Sequence, residues 1–182
     1  MNRENEKTLI QKYPLCWEGL GADPNGLVEM FGMECGDGWF GLLDSLMGRI
    51  NTHLEEKYAA VGRDEYPFRV GQIKEKYGTL RFYVFGADDA IYRMIHEAET
   101  MSGRICEQCG KPGLLHTARG GYWLKTLCPK CADPIQYVPY AFAEDEDVPL
   151  SHRSASTMLF TELERQEADH LNQTFRTTDG ET

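Results

Sequence analysis

Two Cys-x-x-Cys pairs, Cys106-Glu107-Gln108-Cys109 and Cys128-Pro129-Lys130-Cys131, lie eighteen residues apart and constrain this chain more than any other feature. Two residues between ligands let a tight turn aim both thiolates at one ion, and the separation is that of zinc ribbons and knuckles. Gly110 after the second ligand and Pro129 inside the second pair suit such turns. Four thiolates fill a tetrahedron and leave no open position, so one structural Zn2+ per chain is expected, not a Lewis acid. A ligated zinc can contribute on the order of 10–16 kcal/mol to a small fold. That is enough to order a segment too short to bury a core of its own. The alternative of four unrelated free cysteines is disfavoured by the specificity of this spacing, and a redox Cys-x-x-Cys would explain only one pair.

The remaining cysteines, Cys16 and Cys35, stand alone and are expected to be free thiols, buried or half-buried. The polar start, Met1 to Lys7, reads as neither a secretory signal nor a transit peptide, and no apolar run approaches the ~20 residues of a membrane span. A reducing, cytoplasmic setting with no membrane contact is therefore expected, which favours metal ligation over disulfides.

The net charge of −10 is unevenly spread. Residues 106–131 carry four basic side chains against one acidic, whereas residues 132–182 carry three against eleven. Phosphate contacts need clustered Lys and Arg, so nucleic-acid binding by the whole surface is disfavoured and only the ribbon keeps that option. Its candidates are Arg119, Tyr122, Trp123, Lys125 and Lys130, basic groups interleaved with aromatics that can hold a single strand. The competing expectation, favoured here, is that Trp123 packs the ribbon onto the core, because a small ribbon needs a large apolar anchor.

Ahead of the ribbon the pattern predicts an α+β core over residues 1–104. A short helix runs from Glu4 to Tyr13 and ends at Pro14, before a turn-rich loop over residues 16–26. A long helix starts at Trp39, with Leu43, Leu46, Met47, Ile50, Leu54 and Tyr58 on one face and Asp37 as its N-cap. Phe68 to Ile73 and Thr79 to Phe85 read as an antiparallel hairpin turning at Gly78. Arg81, Tyr83 and Phe85 share its second face, suggesting that this face is covered too. A further helix opens at Asp88 or Asp89, carries Ile91, Met94, Ile95, Ala98 and Met101, and leads through Gly103 into Cys106. The ribbon spans 105–133. An acidic extension, 134–182, follows, with an aromatic stretch to Phe142, a helix near Met158–Leu171 and a tail without apolar residues.

Catalytic readings are weaker. Glu34, Cys35 and Asp37 offer a nucleophile or an acid pair, but no base is identifiable for Cys35, and a loop-to-helix corner explains the glycines around Asp37. His53-Leu54-Glu55 matches half of a zinc-deaminase signature whose other half is missing, so His53 reads as a surface histidine. His116 is alone in the ribbon, and no phosphate-cradling glycine loop is present. The chain is read as non-enzymatic.

Taken in order, Met33-Glu34-Cys35-Gly36-Asp37-Gly38-Trp39-Phe40, then Ile73-Lys74-Glu75-Lys76-Tyr77-Gly78-Thr79-Leu80-Arg81-Phe82-Tyr83, then the two cysteine pairs, the chain resembles a group of small phage and bacterial proteins over roughly residues 27–133. The resemblance implies a phage or mobile-element setting and a bound zinc, and carries no assigned activity. The knuckles alone look like those of DksA/TraR-type zinc fingers, which implies RNA polymerase as one partner, although no coiled-coil hairpin of their kind precedes Cys106. The leading expectation is a zinc-stabilised protein that binds and modulates a host protein, such as a defence or nucleic-acid enzyme.

Overall fold

In the computed structural model, which describes residues 1–17 and 32–140, an α+β core continues without a break into a four-cysteine ribbon. Met1–Tyr140 form one compact unit. The turn-rich loop and the last helix and tail expected from the sequence fall largely or wholly outside the described residues. No described helix is long and apolar enough to cross a membrane.

Helix α1 (Arg3–Lys12) starts where Asn2 accepts from the N–H groups of Glu4 and Asn5, and stops before Pro14. Helix α2 (Phe40–Val61) buries Leu42, Leu43, Leu46, Met47, Ile50 and Leu54, a stripe at three- and four-residue steps. Each fully buried aliphatic chain stabilises the fold by about 1.5–3 kcal/mol. A 3-10 turn, Asp37–Trp39, precedes this helix, and here one expectation fails. Asp37 does not cap α2. Its carboxylate accepts instead from Asn2 N at 2.8 Å and Asn5 Nδ2 at 3.1 Å, fastening α1. The local signature is the same in both cases; what differs is that a distant helix supplies the donors first.

Strands β1 (Arg69–Lys76) and β2 (Thr79–Phe85) pair antiparallel. The turn is tighter than expected, only Tyr77 and Gly78, at φ +55° and +81°. Two positive φ values give the twist that a two-residue hairpin requires. Val70, Ile73, Leu80 and Phe82 point into the core. The opposite face was expected to be covered, yet among the described residues Tyr83 and Phe85 stay exposed.

Helix α3 (Asp89–Ser102) packs on β2 and α2 through Ile91, Ile95 and Ala98. Met101 is exposed, contrary to its place in the expected stripe, and Ser102 is buried instead, with its hydroxyl accepting from Leu80 N at 2.8 Å. Gly103 ends the helix at φ −66°, without a left-handed cap.

Asp88 caps α3 by accepting from Ala90 N and Ile91 N, and its other oxygen meets His53 Nε2 at 2.9 Å and Lys57 Nζ at 3.0 Å. His53 is thus no plain surface histidine but a partly buried tie between α2 and α3. Burial alone would raise the Asp88 carboxyl. The hydrogen bonds from His53, Ile91 N–H and Lys57 outweigh it and hold that carboxyl far below the usual range. A depressed folded-state pKa means the stabilisation is present above the unfolded value of about 3.9 and is lost as the pH falls through the folded value. Asp88→Asn keeps a capping side chain but removes the charge. It should lower stability by about 1 kcal/mol at pH 7 and flatten the acid limb of a melting-temperature curve. An acid limb of unchanged steepness would show that Asp88 is not its source.

The ribbon consists of β3 (Leu114–Ala118), β4 (Leu124–Leu127), the single-turn helix α4 (Pro129–Ala132) and β5 (Tyr137–Pro139), in sheet order β4-β3-β5. Part of the stretch assigned to the acidic extension therefore completes the ribbon sheet: His116 pairs with Pro139, and Ala118 with Tyr137.

Candidate metal centre

The first knuckle leaves α3 through Ile105, which bridges to Pro112, while Cys106 N donates to Lys111 O at 2.7 Å and Gly110 N to Cys106 O at 2.9 Å. Gly110 supplies φ +75° for this reversal. The second knuckle follows β4, and Cys131 N and Ala132 N both donate to Cys128 O at 3.0 Å. The four sulfurs then lie within 4.8 Å of one another. Cys109 Sγ and Cys128 Sγ are 3.6 Å apart. That is far beyond a disulfide bond, and close to the ~3.8 Å edge of a tetrahedron with metal–sulfur bonds of ~2.3 Å. Cys106, Cys109, Cys128 and Cys131 form a site for a single metal ion. Burial would raise the Cys128 thiol, but the Cys131 N–H and the neighbouring cysteines bring it down to about 7, while burial and those same neighbours push Cys131 up to about 12. Four thiolates this close need a cation between them before all can ionise.

No protein-family model matches the chain, and no curated protein or solved structure matches it either. What the site does must be read from its surroundings.

Those surroundings explain the motifs upstream. Gly36 N donates to Glu107 Oε1 at 3.0 Å, Gly38 N to Glu107 O at 2.7 Å, and Trp39 Nε1 to Ile105 O at 2.9 Å. A Cβ on Gly36 would stand 2.2 Å from Glu107 O, and one on Gly38 2.2 Å from Cys106 O. The Gly36-Asp37-Gly38-Trp39 segment is therefore a clasp around the first knuckle. A second clasp is the turn of β1–β2, where Thr126 Oγ1 donates to Gly78 O at 2.7 Å within the buried contact. Sequence reasoning missed Glu107, Gly36 and Gly38 as parts of the centre. The signal available was a pair of glycines flanking Asp37, more than a simple cap requires.

Trp123 does not anchor the ribbon, contrary to expectation. It is 67% exposed and Tyr122 is 100% exposed, both in the β3–β4 turn. The anchoring runs the other way: the core's Trp39 reaches to Ile105, and Leu127 closes the cluster from inside the ribbon. Arg119 shares the exposed turn with Tyr122 and Trp123, whereas Lys130 sits in the second knuckle at the far end of β4. Lys125 pairs with Glu107 at 2.8 Å; burial opposes its charge, but that carboxylate keeps its pKa raised. The five candidate binding residues are thus not one patch. His116 is buried, with Nδ1 donating to Leu114 O at 2.7 Å.

Of the catalytic candidates, Glu34 is exposed and accepts from Gln72 Nε2 at 3.0 Å, and Asp37 holds α1. Cys35 is buried, and that burial pushes its thiol up to about 12; Cys16 is buried likewise, also at about 12. Neither is a thiolate at neutral pH.

Proposed function

We propose that this chain is a non-enzymatic binding protein, held together by one structural Zn2+, that docks on a host protein through the tip of its ribbon. The observation that carries this is the exposed Tyr122–Trp123 pair at the end of a hairpin whose base is pinned by four cysteines. Aromatic side chains on a rigid turn lose little freedom on binding and supply the anchors that dominate interface energies. A closed four-thiolate site offers no position for substrate, which suits a scaffold. The sequence resemblance supports a phage or mobile-element origin, which makes the host cytoplasm the setting; a defence or nucleic-acid enzyme is the class of target proposed. RNA polymerase is one such target.

Bait protein should recover a stoichiometric protein from bacterial lysate, and the Tyr122→Ala/Trp123→Ala variant should lose it while keeping its zinc. Equal recovery by that variant, or material wholly removed by nuclease, overturns the reading. The second reading, nucleic-acid binding by the ribbon, rests on exposed Arg119 beside the same aromatics. It is weakened by the engagement of Lys125 with Glu107.

A further inference from the structure

The outer face of the β1–β2 hairpin keeps its aromatic rings exposed among the described residues. Its register sets Arg69 opposite Phe85, Gln72 opposite Tyr83, and Lys74 opposite Arg81, with Lys76 and Tyr77 at the turn. Phe85 is 53% exposed, Tyr83 44% and Tyr77 67%. A cation lies over each ring: Arg69 over Phe85 at 4.5 Å, Lys74 over Tyr83 at 5.4 Å, Lys76 over Tyr77 at 5.3 Å. Lys74, Lys76 and Arg81 form no ion pair among the described residues, although Arg81 Nη1 donates to Thr79 Oγ1 at 2.6 Å and Leu80 O at 2.7 Å. Of the nearby carboxylates, Glu34 holds Gln72, and Glu75 accepts from Gly78 N within the turn.

Both edges of this small sheet are occupied over the half next to the turn. Along β1, Glu34 N donates to Ile73 O and Glu75 N to Glu34 O; along β2, Leu80 N and Phe82 N donate to Ser102 and Glu99 of α3. A partner cannot simply add a strand, so recognition must come from the side chains of the face. An acidic peptide would satisfy the cations and leave the rings bare. An apolar protein surface would cover the rings and desolvate the Lys74 and Lys76 ammonium groups without satisfying them. A single nucleic-acid strand suits both, with bases on rings and phosphates on cations.

We infer that this face binds single-stranded nucleic acid, with Tyr83 and Phe85 as the stacking platform and Lys74, Lys76 and Arg81 as the phosphate contacts. Same-face residues on a strand repeat every ~6.8 Å, a step that an extended strand of nucleotides can follow. When a base takes a ring face, the cation that covered it moves aside to the phosphate. The exchange is favourable because base stacking outweighs an exposed cation–ring contact. Paired bases hide their faces, so a duplex gains only the charge term. Residues 18–31 contribute −3 and residues 141–182 −7 of the total −10, so the charges of the described residues balance.

The test is fluorescence anisotropy of labelled oligo-dT with the full zinc-loaded chain across a salt series. Binding is expected at low salt, at least tenfold weaker in Tyr83→Leu/Phe85→Leu, which keeps apolar bulk but cannot stack. Lys74→Gln/Lys76→Gln should make the log–log salt slope shallower by about 1.4, at ~0.7 per phosphate. Tyr122→Ala/Trp123→Ala should bind as wild type. No binding at low salt, a duplex held as tightly as the single strand, polyglutamate competing as well as the oligonucleotide, or loss in the ribbon variant alone would each overturn the inference.

Discussion

Cys106→Ser or Cys128→Ser should leave the purified chain without its metal and unfasten the ribbon, the largest effect expected of any single substitution here. Each knuckle supplies half of the tetrahedron, so a lost thiolate leaves three ligands and an opening for water. The free energy at stake is a large part of the on the order of 10–16 kcal/mol that a structural zinc contributes. Faster hydrogen exchange should cover residues 104–133 and spread along two routes visible in the fold. One is the last turn of α3, which leads straight into Cys106. The other is the clasp at Gly36–Trp39, which bonds to Ile105 and Glu107. The middle of α2 should keep its protection, because Leu46, Met47 and Ile50 pack in the core cluster that excludes the knuckles. Elemental analysis giving one zinc per wild-type chain and near none in the variants is the expected result. Variants that retain zinc, or ribbon exchange that does not change, would refute it.

Gly38→Ala should have the second-largest effect, by a different route. The added Cβ would lie 2.2 Å from Cys106 O, 2.5 Å from Gly110 N and 2.7 Å from Cys109 N, all backbone atoms that cannot turn aside. The clasp must open, at a cost of about 3 kcal/mol. All four ligands remain, so the variant should still bind zinc while melting earlier and exchanging faster at the knuckle. Gly41→Ala is the control. Nothing lies within 4 Å of its Cβ, and it sits in the first turn of α2, so it should be neutral or stabilise by up to about 1 kcal/mol. Equal melting temperatures for the two variants would show that the close approach of Gly38 is not needed.

What could be read in advance follows the range of the interaction. The metal ligands were legible because two residues between thiolates is a local geometric demand. The apolar stripe of α2 and the alternation in β2 were legible for the same reason, since periodicities of 3.6 and 2 express burial on one face. The clasp was not, because Gly36 meets a residue 71 positions away and no local pattern encodes that partner. Asp37 shows the ambiguity in miniature: a carboxylate before an apolar helix reads as a cap unless another element claims its oxygens first. Trp123 failed for another reason. Large apolar side chains are usually buried, but at the tip of this short hairpin Tyr122 and Trp123 stay exposed among the described residues. Tyr83 and Phe85 were read as covered on the same assumption.

The separation between Gly36 and Glu107 also orders events during synthesis. Closing the eighteen-residue metal loop costs less chain entropy than closing the 71-residue loop, by about 1.2 kcal/mol on the logarithmic scaling of closure. On that scaling metal capture is expected to precede docking, so that the knuckle reaches the clasp already formed. On the ribosome the order is stricter still. Residues 36–39 emerge long before Cys131, several seconds earlier at roughly 5–20 residues per second. Until Ile105 and Glu107 have emerged, the Trp39 indole N–H and the glycine backbone lack the partners they meet in the fold. A chain made without metal would thus be expected to keep its clasp backbone exposed to chaperones and proteases for longer, although the Gly36–Trp39 segment supplies none of the four thiolates.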